Sequence, residues 1–420
     1  MNYEKRMRRQ PSGLTSLVFI VLCSRLLVFL LMLVVPALSS ADPRVVQGWQ
    51  AFANWDGVWY QKIATFGYEY IPDGHSHSVA FFPLFPLLSR SLMLLGLPFP
   101  IAGIMVSNLA FIGALLTVYA WTREQFNQTV AYWSVIVLAW CPLSLYGSLA
   151  YTEGLFLLLS TLSLRAFEKG HYVWAAGWGA LTTATRITGV TLIPTFVWLA
   201  WRQRRSWLAY FAAFASGIGL MLYSSYCALK FGDSLIFLHV QAGFGHRSSI
   251  SFDWFHWGQN LIYGAVGPVD WSNGRLKHPL HSVQLLCIGV AGFWVYRDRL
   301  KLHPMLFQGL SFLLLLWLWL LWGDGWIKTL AVFGGGSLLW HYRQQMKPIL
   351  LTYGTFALLV VLFSGSIVSN DRYAYAIMPL SVAAGLLLAD HPKIRTPLFL
   401  WAVVVLISFT IRFTENKWVA

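Results

Sequence analysis

Apolar runs of roughly 14 to 24 residues, separated by short polar punctuation, recur along the whole chain, and such runs suit helices that cross a bilayer. They predict helices near 14–37, 100–121, 130–147, 153–167, 172–185, 187–201, 207–230, 280–297, 305–322, 326–341, 348–366, 373–389 and 396–413. The expected fold is an all-α polytopic membrane protein with about thirteen transmembrane helices in a single integral membrane domain, 1–420. Basic residues test the alternation, because short cytoplasmic connections collect Lys and Arg. If Lys5, Arg6, Arg8 and Arg9 start inside, then Arg123, Lys169, Arg202, Arg204, Arg205, Arg297, Arg299, Lys301, Arg343, Lys347, Lys393 and Arg395 all fall inside as well. The stretch 172–201 then has both flanks inside, and two short helices with a turn near Arg186 fit it better than one long helix.

The outer side receives two long segments, 39–100 and 231–279, flanking a helical module at 100–230 and followed by the helices of 280–420. Most acidic residues lie there, including Asp42, Asp56, Glu69, Asp73, Glu153, Asp233, Asp253, Asp270, Asp324 and Asp371. Chemistry is therefore expected on the extracytoplasmic face.

Composition agrees. Of 420 residues 57% are apolar and 11% charged, whereas a soluble domain carries about 25% charged residues. The net charge of +14 is explained by basic cytoplasmic loops, so no nucleic-acid partner is expected. The 22 Trp suit membrane interfaces. Cys23, Cys141, Cys227 and Cys287 sit in or beside apolar runs without metal-ligand spacing. Residues 14–35 are long enough to stay in the bilayer as an anchor, so a multi-pass protein with a cytoplasmic N-terminus is expected.

Asp56 and Tyr60, with Lys62 nearby, lie in Asn54-Trp55-Asp56-Gly57-Val58-Trp59-Tyr60-Gln61-Lys62, among aromatic rings. A partly desolvated carboxylate there suits proton acceptance, and an interfacial helix cap explains it equally well. The second outer segment scatters His239, His246, Arg247, Asp253, His256, Asp270, His278 and His281 among Trp254, Trp257 and Trp271. No HExxH or EF-hand spacing occurs, so no metal is expected; His246 and Arg247 are candidate substrate contacts.

Trp55-Asp56 with Tyr60 and Ile63-Ala64, then Gly67-Tyr68 and Ala80-Phe81-Phe82-Pro83-Leu84, resembles the PIG-V family, whose eukaryotic members are the second mannosyltransferases of GPI-anchor synthesis. Pro142, Ser144 and Tyr151-Thr152-Glu153 look like its second block, Arg186 with Gly189 like its Arg-x-x-Gly, and Arg372-Tyr373 with Pro379 like its closing block. The likeness covers most of 50–190 and, more weakly, 365–390. Members often carry His before Ala-Phe-Phe-Pro, where this chain has Val79, with His75 and His77 upstream.

The resemblance implies a GT-C type glycosyltransferase using a polyprenyl-phosphate sugar, with its active site at the outer face and Asp56 as the acidic residue of the first outer loop. It implies mannose as the sugar, a glycolipid or glycan acceptor, and no cofactor. Its members sit in the endoplasmic reticulum in eukaryotes; modest outer loops and no retrieval signal at 417–420 favour a bacterial plasma membrane here. Arg186 and Arg372 are the candidate phosphate ligands, since a guanidinium matches phosphate oxygens. A salt bridge to Glu153 is the plainer role for Arg186, and Asp371 is the plain partner for Arg372. Glu153, with Thr152, suits helix capping or sugar binding. Trp55, Tyr60, Lys62, Phe81, Phe82 and Tyr151 complete the candidate substrate contacts. Membrane lipid, donor and acceptor are the expected partners, with room for an accessory membrane subunit. A polytopic transporter or lipid flippase is the alternative; it calls for ionisable residues in the middle of helices, where this chain has few.

Overall fold

The computed structural model describes residues 14–38, 45–244, 251–270, 273 and 275–419. Among them, five stretches are long and apolar enough to cross a membrane: Thr15–Leu38, Phe99–Gln125, Trp207–Phe231, Pro304–Trp322 and Pro392–Thr414. The remaining expected spans appear as shorter apolar helices or as helices broken by turns.

In order, the helices are α1 (Leu14–Leu38), α2 (Asp56–Phe66), α3 (Leu84–Met93), α4 (Phe99–Gln125), α5 (Gln128–Trp140), α6 (Glu153–Glu168), α7 (Tyr172–Thr185), α8 (Leu192–Arg202), α9 (Trp207–Ala215) and α10 (Ile218–Phe231). There follow α11 (Ile236–His239), α12 (Trp254–Val266), α13 (His281–Arg297), α14 (Pro304–Trp322), α15 (Asp324–Thr329) and α16 (Gly335–His341). The last are α17 (Pro348–Leu362), α18 (Asn370–Tyr375), α19 (Met378–Asp390) and α20 (Arg395–Thr414). A hairpin of two-residue strands, Val269–Asp270 with Arg275–Leu276, interrupts residues 231–279. The break expected near Arg186 is present: α7 stops at Thr185 and a 3₁₀ turn, Ile187–Thr191, leads into α8.

Helix packing follows small residues. A Cβ on Gly154 of α6 would stand 2.6 Å from the Ser107 carbonyl oxygen of α4, and one on Gly219 of α10 would collide with the Ala180 carbonyl oxygen of α7. Bare backbone at these positions lets the helices touch, as membrane bundles require. The basic connections share one end of the bundle: Glu124 pairs with Arg165 and Lys169, Glu168 pairs with Lys347, and Lys393 donates to the Arg299 carbonyl.

Ionisable residues are expected mostly at helix ends, and Arg25 is an exception. This side chain, in the body of α1, donates to the carbonyls of Ala139 and Ser144 and to the hydroxyls of Ser24, Ser144 and Ser148, and it lies 5.0 Å from the Phe111 ring centroid. Behind α5 the chain leaves the helix for a buried 3₁₀ turn, Pro142–Gly147, and carbonyls freed in an apolar interior need donors. Arg25 supplies them, and the turn it secures delivers Tyr146 and Tyr151 to the opposite, more acidic end.

Candidate active site

At that end the segments around Asp56, Glu153, Arg186 and Arg372 converge. Asp56 opens α2, and the preceding backbone is clamped: the Tyr151 hydroxyl donates to the Asn54 carbonyl at 3.0 Å and accepts from the Asp56 N–H at 3.2 Å. Trp55 sits at φ +55°, a left-handed conformation that a bulky side chain rarely adopts and that stores about 1–3 kcal/mol. Asp56 is therefore the first residue of the helix and not its N-cap; its side chain turns into the cluster.

There Arg372 Nη1 lies 2.7 Å from Asp56 Oδ2 and Arg372 Nε lies 3.2 Å from Glu153 Oε1. Arg186 Nη1 donates to the same Glu153 oxygen at 2.8 Å. Two arginines and two carboxylates thus alternate, Asp56 to Arg372 to Glu153 to Arg186, and their formal charges cancel. Burial works against charge on Arg372, but Asp56 and Glu153 outweigh it and push the guanidinium pKa well above its ordinary value. Rings of Tyr146, Tyr151, Tyr373 and Trp418 surround that guanidinium at 5.3 to 5.5 Å. Arg186 lies 4.7 Å from the Tyr373 ring centroid.

Exposure grades across the cluster. The side chains of Glu153 and Arg372 are 2% and 6% exposed, whereas that of Asp56 is 22% exposed. The carboxylate facing the opening is Asp56, and the interior holds two cations behind it. Tyr60, one helical turn on, is buried, and its hydroxyl is 3.5 Å from Thr152 Oγ1. Burial, reinforced by Asp56 and Glu153, pushes that phenol up, so it stays protonated.

Several expectations are corrected by the geometry. Arg372 pairs with Asp56 and Glu153, while its neighbour Asp371 is fully buried without a side-chain hydrogen-bond partner among the described residues. Arg186 does make the salt bridge to Glu153. Thr152 makes no capping hydrogen bond. Lys62 is turned away from the cluster to pair with Glu69 and to lie over Trp59. Phe81 packs edge-on against Tyr60 at 5.2 Å, one layer behind the site, and Phe82 is buried elsewhere between Tyr223 and Phe237. Val79 is buried with its carbonyl accepting from Tyr223, and His77 pairs with Asp73. His246 and Arg247 lie outside the described residues. Among the described residues no group of three His, Cys, Asp or Glu is placed to hold a metal ion.

Sequence reasoning missed Arg25, Tyr146 and Trp418, and it named Tyr373 in the closing block without giving it a role. Tyr146 adjoins residues of the second family-like block and could have been flagged there. Trp418 carries no local signal at all.

No family model matches the chain. GPI alpha-1,6-mannosyltransferase 2 of Cricetulus griseus is 25% identical over 314 residues, which cover 64% of this chain and 62% of that relative, so the chain spans less than two thirds of the relative's length. The likeness to the PIG-V family read from the motifs thus extends to a second mannosyltransferase of the GPI series. Among solved structures, the archaeal oligosaccharyltransferase AglB from Archaeoglobus fulgidus, in complex with an inhibitory peptide and a dolichol-phosphate, aligns with a TM-score of 0.48 at 13% identity over 95% of this chain and 56% of that one. The apo form of the Archaeoglobus fulgidus oligosaccharyltransferase aligns with a TM-score of 0.47, again at 13% identity, over 95% and 56% of the two chains.

Proposed function

We propose that this chain is an inverting membrane glycosyltransferase of GT-C type that moves a sugar, mannose by its family likeness, from a polyprenyl-phosphate donor to a hydroxyl of a glycolipid or glycan at the extracytoplasmic face. The N-terminus is on the cytoplasmic side in this reading, and a bacterial plasma membrane is the setting. The observation that carries the reading is the Asp56–Arg372–Glu153–Arg186 cluster, a single partly open carboxylate backed by two guanidinium groups.

The chemistry needs one base and one anion clamp. The acceptor oxygen bonds the anomeric carbon, the bond from that carbon to the phosphate oxygen breaks, and the hydroxyl proton passes to Asp56. Polyprenyl phosphate departs as an anion, so no acid is required to protonate it. Negative charge builds on the departing phosphate, where fixed guanidinium donors stabilise it most. Arg372 is held by two carboxylates and Arg186 by one; a phosphate entering between them shares those donors and loosens the hold of Arg372 on Asp56, leaving that oxygen to accept the proton. The reaction as written calls on no cofactor. A matched pair of carboxylates, the arrangement of a glycoside hydrolase, is not needed either.

The alternative of a transporter is less well supported. Arg25, the ionisable group in the body of a candidate span, is committed to carbonyls and hydroxyls. The test is transfer by the purified full chain from polyprenyl-phosphate mannose to an extracted glycolipid acceptor. The wild type is expected to form glycosylated product and Asp56→Asn to lose at least about a hundredfold in kcat while still folding. Undiminished kcat in that variant rules out Asp56 as the base; liposome flux of lipid without product favours the transporter.

A further inference from the structure

Just beyond α20 the chain turns back over the cluster. Asn416 adopts φ +57°, the Lys417 N–H donates to the Arg412 carbonyl, and Val419 is 1% exposed in the core. Between these two anchors stands Trp418, half-buried. Its ring centroid is 5.3 Å from the Arg372 guanidinium carbon and 5.4 Å from the ring of Trp55, which meets it edge-on at 66°. Trp55 is itself 39% exposed and is held next to Asp56 by strained backbone.

Two indoles therefore meet beside Arg372, the cation that pairs with the most exposed carboxylate of the cluster, Asp56. One face of Trp418 covers Arg372 and its ring lies 6.5 Å from that of Tyr146, while the side chain stays half-buried. Partly exposed indoles beside a carboxylate suit a hexose, whose hydroxyls point around the rim of the ring while its axial C–H bonds form an apolar face that packs on an aromatic surface. Charge argues for the donor sugar over the acceptor: the guanidinium under Trp418 is one of the two proposed to meet the phosphate, and in the donor the sugar is bonded directly to that phosphate.

We infer that Trp418, opposed by Trp55, is the sugar-stacking residue of the donor site. The inference rests on the proposed glycosyltransferase activity and adds a residue and a subsite to it. Trp418 acts by binding and takes no part in proton transfer, so its loss is expected in KM rather than kcat.

The full chain in detergent is assayed with polyprenyl-phosphate mannose, and unglycosylated polyprenyl phosphate serves as a competitive inhibitor. Trp418→Ala is expected to raise the donor KM about tenfold, the effect of losing one aromatic contact, with kcat and the inhibition constant for polyprenyl phosphate unchanged. Trp418→Phe is expected to restore most of the affinity and serves as the readout if the alanine variant does not fold. A purely structural role for Trp418 would weaken sugar-bearing and sugar-free lipids alike, and that result overturns the inference, as does an unchanged donor KM in an active protein. Absence of transfer by the wild type from this donor overturns the underlying reading and the inference with it.

Discussion

Arg372 Nη1 stands 2.7 Å from Asp56 Oδ2, so the carboxylate at the mouth of the cluster is joined to a cation from the far end of the chain. The same guanidinium reaches Glu153, whose side chain is 2% exposed. Removing Arg372 leaves a buried carboxylate shared with Arg186 alone. Breaking such a pair costs about 3–5 kcal/mol, so Arg372→Ala is expected to lower the unfolding free energy by that order. Asp56 then has no cation among the described residues, so adding Asp56→Asn removes the stranded charge and should recover part of it. Denaturant unfolding of both single variants and the double variant checks this; additive losses would show that the two residues are not coupled.

Arg25 is expected to be structural. It holds the carbonyls of Ala139 and Ser144 where the chain departs from α5. Arg25→Leu leaves those acceptors without donors, at about 1–3 kcal/mol for each buried group. Arg25→Lys, with one ammonium in place of a fork, should retain part of the loss. Melting temperatures in detergent rank the three proteins, and a leucine variant as stable as the wild type would mean that other donors serve the turn.

Trp55 offers a backbone test. Alanine is ordinarily better tolerated than glycine, but at φ +55° the order reverses because only glycine lacks the Cβ clash. Trp55→Gly is expected to be more stable than Trp55→Ala by about 1 kcal/mol. Both lack the ring, so the comparison isolates the strain. Equal stability of the two would show that the left-handed conformation relaxes once the indole is gone.

Asp371 predicts a pH effect of defined sign. Burial pushes its carboxyl up, against smaller opposing contributions from Lys328 and nearby donors. A carboxyl whose folded-state pKa exceeds its unfolded value binds its proton more tightly in the native protein, so stability rises as pH falls through the folded value and the penalty is full above it. Asp371→Asn is expected to melt higher than the wild type at alkaline pH, with the difference shrinking as pH falls. A difference that stays constant with pH would show that Asp371 is not titrating in the folded state.

Some of the site could be read from spacing, and some of the spacing was misread. Asp56 and Tyr60 are four apart and share a helix face. Lys62, two residues past Tyr60, points to the other side, since successive helical residues turn by about 100°; that geometry alone sends it to Glu69. The same rotation separates Asp371 from Arg372, so sequence neighbours diverge and Arg372 meets carboxylates from α2 and α6 instead. The turn at Arg186 was legible because thirty residues between two basic flanks cannot make one return crossing without a break.

Sequence by itself determined the solvent, the longest apolar helices and the short roster of charges kept away from the basic end, because hydropathy and helix length are local properties of the chain; the apolar runs did not show α2, α3, α11 and α12. Tertiary structure decided which charges pair, which carboxylate is left open, and that Trp418 covers Arg372. Those outcomes depend on how α2, α6, α7, α18 and α20 pack against one another. In a low-dielectric interior a buried charge settles on whichever partner that packing brings within about 3 Å.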